Sequence, residues 1–234
     1  MTVPTGNFGN ILAAYYAKQM GVPINKLICA SNENKVLFDF FRTGTYDKNR
    51  EFVLTSSPSM DILISSNLER LIYTIAGQDG QKNAELMDAL KSSGAYEITK
   101  EMKAKLDDFV GGYATEEQTA QAIHDTYKRT GYVMDTAVAS CVCAQYREES
   151  GDETKCLIAS TASPYKFVGS VMRAIDAEYA GRDEFELVDE LEKLSQVAVP
   201  NAVKEIRDAK ILHTRECDAD KMKETVKEIL EIEV

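Results

Sequence analysis

Residues 26–30 (KLICA) form a short apolar run with helical patterns on both sides. Before it, Ile11, Leu12, Tyr15, Tyr16 and Met20 recur at three- to four-residue spacing, and Gly21-Val22-Pro23 stops the pattern. After it come polar Ser31-Asn32-Glu33-Asn34, then Val36, Leu37, Phe40 and Phe41, which mark a short helix ending near Gly44. A second apolar run, residues 155–160 (KCLIAS), leads through the turn Thr161-Ala162-Ser163-Pro164 into a helix that reaches about Tyr179. Buried runs alternating with helices across short connections predict an α/β fold of three layers, a mostly parallel sheet flanked by helices.

Between the two runs the pattern is mainly helical. Ser66-Asn67-Leu68-Glu69 reads as a capping box in front of the stripe Leu68, Leu71, Ile72 and Ile75. Thr115-Glu116-Glu117-Gln118 reads as a second capping box, opening a helix to about Arg129. Asp135 starts another helix, to about Glu149. Residues 77–117 are the most polar and most helical part, and read as a helical excursion from the sheet or as surface helices of the same domain. From Asp218 the tail carries Met222, Val226, Ile229 and Leu230 as one face of an amphipathic helix.

Composition narrows the function classes. The net charge of -11 argues against nonspecific nucleic-acid binding, where phosphates demand Lys and Arg. No apolar run approaches the roughly 20 residues that cross a bilayer, and no secretory leader is visible, so a cytoplasmic protein is expected. Five cysteines stand scattered with no C-x-x-C, as reduced thiols do, and neither His124 nor His213 has a partner at metal-ligand spacing. No metal site is expected.

Two short stretches carry chemistry. Thr5, Gly6, Asn7, Phe8, Gly9 and Asn10 form a turn that runs directly into the first helix. Its glycines permit unusual backbone conformations and the close approach of a ligand. The unpaired N–H groups and dipole of the helix start suit a phosphate, and Asn7 and Asn10 add side-chain donors. With no lysine in the turn, such a phosphate would be held by neutral donors. The same spacing also serves as a plain tight strand-to-helix turn. Thr161 follows the second apolar run, at the sheet edge where ligands of α/β folds bind. Its hydroxyl suits a ring nitrogen, while Thr161 or Ser163 can equally cap the next helix.

Four stretches in order resemble one family. VPTGNFGNILAAYYAKQMGVPI, ASNENKVLFDFFRTGTY, SPSMDILISSNLERLIY and STASPYKF are similar to successive landmarks of threonine synthase, covering Val3 to about Val168. The resemblance implies the tryptophan-synthase-β-like fold type II of pyridoxal 5'-phosphate (PLP) enzymes. It implies conversion of O-phospho-L-homoserine and water to L-threonine and phosphate. Gly6, Asn7, Phe8, Gly9 and Asn10 would then cradle the cofactor phosphate, and Thr161 would meet the pyridine nitrogen.

In that family the Schiff-base lysine and the small domain precede the phosphate turn, whereas here only Met1 to Pro4 do. Residues 1–234 are therefore expected to be the C-terminal part of an incomplete PLP-binding large domain, inactive alone. Uncovered apolar surface would promote self-association. Lys166 is not the Schiff-base lysine and is placed on a helix. Asp135, Thr136 and Ala137 match a family run whose histidine is missing here. The alternative is a self-standing, non-catalytic binding or interaction module on the same fold.

Overall fold

A computed structural model describes residues 1–135 and 137–232, so Thr136 lies outside the described residues. The chain divides into two compact units, Met1–Ala198 and Val199–Val234.

In the first unit, β1 (Thr2–Pro4) leads into α1 (Gly9–Gln19), β2 (Leu27–Ser31), α2 (Val36–Thr43) and β3 (Thr45–Asp47). Then come α3 (Leu68–Ile75), α4 (Gly80–Ser92), β4 (Ala95–Glu97), α5 (Lys100–Ala104) and β5 (Phe109–Tyr113). Four further helices follow: α6 (Glu116–Thr130), α7 (Val138–Ser150), α8 (Val168–Ile175) and α9 (Glu184–Ser195). The strands β1, β2 and β5 form a parallel sheet in that order, with Val3 opposite Cys29 and Cys29 opposite Gly111. β3 and β4 pair antiparallel beside it, their Tyr46 and Tyr96 rings stacked at 5.4 Å.

Alternation along β2 builds the expected three layers. Leu27 and Cys29 face a core shared with Ile11 and Leu12 of α1, Phe40 of α2 and Leu71 of α3. Ile28 and Ala30 point the other way, onto Val138, Ala139 and Val142 of α7. A strand buried on both faces has little room for polar side chains, which is why residues 27–30 (LICA) are apolar throughout. Burial pushes the Cys29 thiol up to about 12, so it behaves as a small apolar side chain.

Three sequence expectations change. Within residues 77–117, α4, β4 and α5 do leave the parallel sheet, but Phe109–Tyr113 returns to it as a strand. Its FVGGY sequence carries two glycines and a weak strand signal. At Gly112 the reason is close approach, since a Cβ there would lie 2.4 Å from Val142 Cγ1 of α7.

Residues 155–160 form only a single parallel bridge, Ile158 to Thr2, with Thr2 N–H donating to the Leu157 carbonyl at 2.8 Å. Paired on one edge only, the run leaves Leu157 64% exposed. The helix expected from Asp135 begins at Val138.

The capping box at Thr115 forms as expected. The Thr115 hydroxyl accepts from Gln118 N–H at 3.2 Å, and Gln118 Oε1 accepts from Thr115 N–H at 2.9 Å.

The second unit holds α10 (Asn201–Arg207) and α11 (Met222–Ile229). Met222, Val226, Ile229 and Leu230 are exposed, and Arg215 pairs with Glu228 at 3.5 Å. Among the described residues no helix is long and apolar enough to cross a membrane.

Candidate functional site

The opening turn leaves the carboxyl end of β1 and is tied at once to β2, where Thr5 N–H donates to the Ala30 carbonyl at 2.8 Å. The left-handed residue in the turn is neither glycine but Phe8, with φ 64°. That corrects the expectation that Gly6 and Gly9 supply unusual backbone angles. Phe8 tolerates the strain because its ring is buried, 6.0 Å from Phe41 and 5.9 Å from Phe109. Its side chain is therefore an anchor, and only its backbone faces the turn's concave side. Gly6 is needed for close approach, since a Cβ there would meet Ser59 O, Met60 Cα and Ile62 Cδ1, all at 3.1 Å. A Cβ at Gly9 would make only an ordinary 3.5 Å contact, with Asn67 Nδ2.

Three consecutive residues then clamp the turn. The Ser65 hydroxyl donates to the Gly6 carbonyl at 2.5 Å. Ser66 N–H and Oγ–H both donate to Asn7 Oδ1, at 2.8 and 2.7 Å. Asn67 Nδ2 donates to the Asn7 carbonyl at 2.9 Å. Ser66 thus does not cap α3 as expected. The cap position is Asn67, whose side chain makes no capping hydrogen bond, and the Ser66 hydroxyl goes to Asn7 instead.

The clamp has a chemical consequence. Because Ser66 N–H can only donate, Asn7 presents its oxygen to Ser66 and keeps its NH2 for a ligand. Asn7→Asp keeps the oxygen that Ser66 holds but replaces the NH2 by a second oxygen. It is expected to weaken phosphate binding at least about tenfold, while stability shifts by about 0.5 kcal/mol or less. Phosphate titration and urea unfolding of the same variant check both halves.

Ser59 and Met60 belong to a segment fixed by Asp61. Its carboxylate accepts from Asn32 Nδ2 at 2.7 Å, Asn34 Nδ2 at 2.9 Å, Thr55 Oγ1 at 2.7 Å and Thr55 N–H at 2.9 Å. The asparagines follow β2, so this network holds residues 53–61 against the carboxyl end of the sheet.

Residues 160–167 complete the site. The Ser163 hydroxyl accepts from Tyr165 N–H at 3.3 Å, so Ser163 rather than Thr161 takes the capping role. Thr161 is exposed on the cavity wall. Lys166 lies in the 3-10 turn Pro164–Phe167, not on the helix expected for it, and its ammonium donates to Ser59 Oγ at 2.8 Å.

Gly6, Asn7, Phe8, Gly9, Asn10 and Thr161 all border one cavity of about 310 Å³, together with Ser59, Asn67 and Lys166. Among the described residues its walls offer backbone N–H groups at the start of α1, amide and hydroxyl donors, one ammonium and no carboxylate. Such a donor set suits a phosphate ester. Sequence reasoning missed Ser59, Asn67 and Lys166. Their one signal was membership of the same quoted landmarks.

Comparisons with known proteins all point to one family. The family model described as threonine synthase, C-terminal, matches residues 136–217. Threonine synthase-like 1 of Homo sapiens is 47% identical over 177 residues, which is 74% of this chain and 23% of that relative. The crystal structure of PLP-bound threonine synthase from Brucella melitensis has a TM-score of 0.70 and 38% identity, covering 83% of this chain and 40% of that one. The yeast threonine synthase structure has a TM-score of 0.81 and 30% identity, covering 98% of this chain and 47% of that one. The chain thus spans under half the length of each of these proteins. By sequence and by fold it belongs to the threonine synthase family, over the part of its relatives that it spans.

Proposed function

We propose that residues 1–234 are the C-terminal part of the PLP-binding domain of a cytoplasmic threonine synthase. That enzyme is the lyase that takes O-phospho-L-homoserine and water to L-threonine and phosphate. The observation that carries this reading is the single cavity that joins the turn at Gly6, Asn7, Phe8, Gly9 and Asn10 to Thr161. Its wall of donors without a carboxylate fits the phosphate of PLP, the group bound in the Brucella relative.

When bound, PLP supplies an electron sink for bond changes on the amino acid. The chain's own residues do the holding. The first N–H groups of α1 and the Asn7 amide bind the phosphate, and the helix dipole adds to their attraction. The Thr161 hydroxyl hydrogen-bonds the ring nitrogen without requiring it to be protonated. The clamp at residues 65–67 keeps these donors in place before the ligand arrives, which lowers the ordering cost of binding.

The family resemblance places the covalent lysine and the small domain before the turn. Residues 1–234 by themselves are therefore proposed to bind the phosphate and not to turn over substrate. Incubated with PLP and O-phospho-L-homoserine, this chain is expected to release neither phosphate nor threonine. The amide resonances of Gly9, Asn10 and Ile11 are nevertheless expected to shift with added PLP. Robust turnover by the chain alone would overturn the first statement, and unmoved resonances the second.

A non-catalytic binding module is the alternative. The same donor-lined cavity serves that reading, since holding a phosphate needs no Schiff-base lysine. This alternative predicts the same resonance shifts, with no turnover even when residues 1–234 are joined to the N-terminal part of a threonine synthase.

A further inference from the structure

We propose that Lys166 is the counter-charge of the phosphate held at the turn, so that the site binds a phosphomonoester dianion by one ammonium as well as by neutral donors. The inference rests on the phosphate-binding reading of the turn and adds to it. The turn contains no cation, and among the described residues Lys166 is the only charged one on the wall of its cavity. In a chain of net charge -11, a cavity with one cation and no carboxylate stands apart from its surroundings.

The placement of Lys166 is built rather than incidental. Ser163 caps the 3-10 turn and Pro164 starts it with a fixed φ. Tyr165, one residue before the lysine, is buried, and its hydroxyl donates to the Val197 carbonyl. The backbone under Lys166 is therefore pinned by its neighbours while the side chain stays exposed.

The side chain reaches across 107 residues of sequence to Ser59 Oγ, at 2.8 Å. Ser59 in turn presses its carbonyl against Gly6, within 3.1 Å of where a Cβ would sit. The ammonium sits on a neutral hydroxyl at the rim of the cavity. A phosphate oxygen carries a negative charge that the Ser59 hydroxyl lacks, so an arriving dianion would draw the ammonium inward by Coulomb attraction as well as by hydrogen bonding. Ser59 would follow as a second donor.

The same chemistry serves a cofactor phosphate or free inorganic phosphate, and the test separates the two. Pyridoxine 5'-phosphate, which has no aldehyde to react with lysine, orthophosphate and phosphate-free pyridoxine are titrated into the wild-type chain, Lys166→Met and Lys166→Arg. Lys166→Met is expected to weaken pyridoxine 5'-phosphate binding about tenfold, and the wild-type affinity to fall more steeply with salt. Lys166→Arg should recover most of the loss, and pyridoxine should respond to neither change.

An equal loss for orthophosphate makes Lys166 a general phosphate ligand. A loss confined to pyridoxine 5'-phosphate makes it specific to the cofactor. Undiminished binding of both phosphates by Lys166→Met, with an unchanged salt slope, overturns the role of Lys166 and leaves the turn as a phosphate site. No binding of either phosphate by the wild-type chain overturns the turn as well. Lys166 is exposed, so thermal unfolding of both variants should match the wild type, and a lowered midpoint would assign the loss to structure instead.

Discussion

Phe8→Ala is expected to destabilise the first unit by about 3–5 kcal/mol, the range for deleting a buried aromatic ring. Phe8 is 1% exposed, and its ring lies among Phe41 and Phe109, which stack on each other at 5.1 Å. Against a typical total of about 5–15 kcal/mol, such a loss is a large fraction of stability. A companion variant separates packing from backbone strain. At an ordinary position glycine is less stable than alanine, because it loses more freedom on folding. Phe8 has φ 64°, where any L side chain costs about 1–2 kcal/mol. Phe8→Gly should therefore be at least as stable as Phe8→Ala, and above it by about 1 kcal/mol. Urea unfolding of the two variants gives the sign, and a glycine variant clearly below the alanine one would refute the strain. Both should also lose phosphate affinity, since the ring pins the turn whose N–H groups do the binding.

What the sequence disclosed about this turn follows from the range of the forces involved. Glycine, asparagine and a helix start act on near neighbours, so the turn at Gly6 to Asn10 and the α1 that follows could be read directly. The apolar run of β2 was legible for the same reason, and so was the capping box at Thr115. Ser66 was misread because Ser-x-x-Glu is a local capping signature and the interaction that wins is not local. Its hydroxyl finds Asn7, 59 residues earlier, and the folded chain spends the donor there.

β5 was hidden because Gly112 is present for the sake of α7, a packing demand that no strand pattern carries. Lys166 was set aside as a helix residue because nothing nearby in sequence announces Ser59. The resemblance grouped Asn7, Ser59, Ser66 and Lys166, and the folded chain supplies the physical reason: the landmark stretches are the walls of one cavity and the struts behind them.

Asp61 is the strut whose loss should be felt most widely. Asp61→Ala is expected to cost about 3–5 kcal/mol, because each buried donor left unpaired costs about 1–3 kcal/mol and four donors lose their acceptor together. Asn32 and Asn34 are 2% and 5% exposed, so water cannot readily replace the carboxylate. Asp61→Asn should fall between the alanine variant and the wild type. Its oxygen can take the place of Oδ1, which serves Asn32, Asn34 and the Thr55 hydroxyl. Its NH2 would then face Thr55 N–H, donor against donor, where Oδ2 now accepts at 2.9 Å. Urea unfolding gives the order of the three proteins, and amide exchange at Thr55 reports the single bond that Asp61→Asn removes. Equal stability of Asp61→Asn and the wild type would mean that the Thr55 bond contributes nothing. The effect should also reach the site. Residues 59 and 60 are held against Gly6 by this network, so Asp61→Ala should weaken phosphate binding although Asp61 does not line the cavity. In a folded Asp61→Ala protein, unchanged phosphate affinity would show that the turn keeps its shape without the strut.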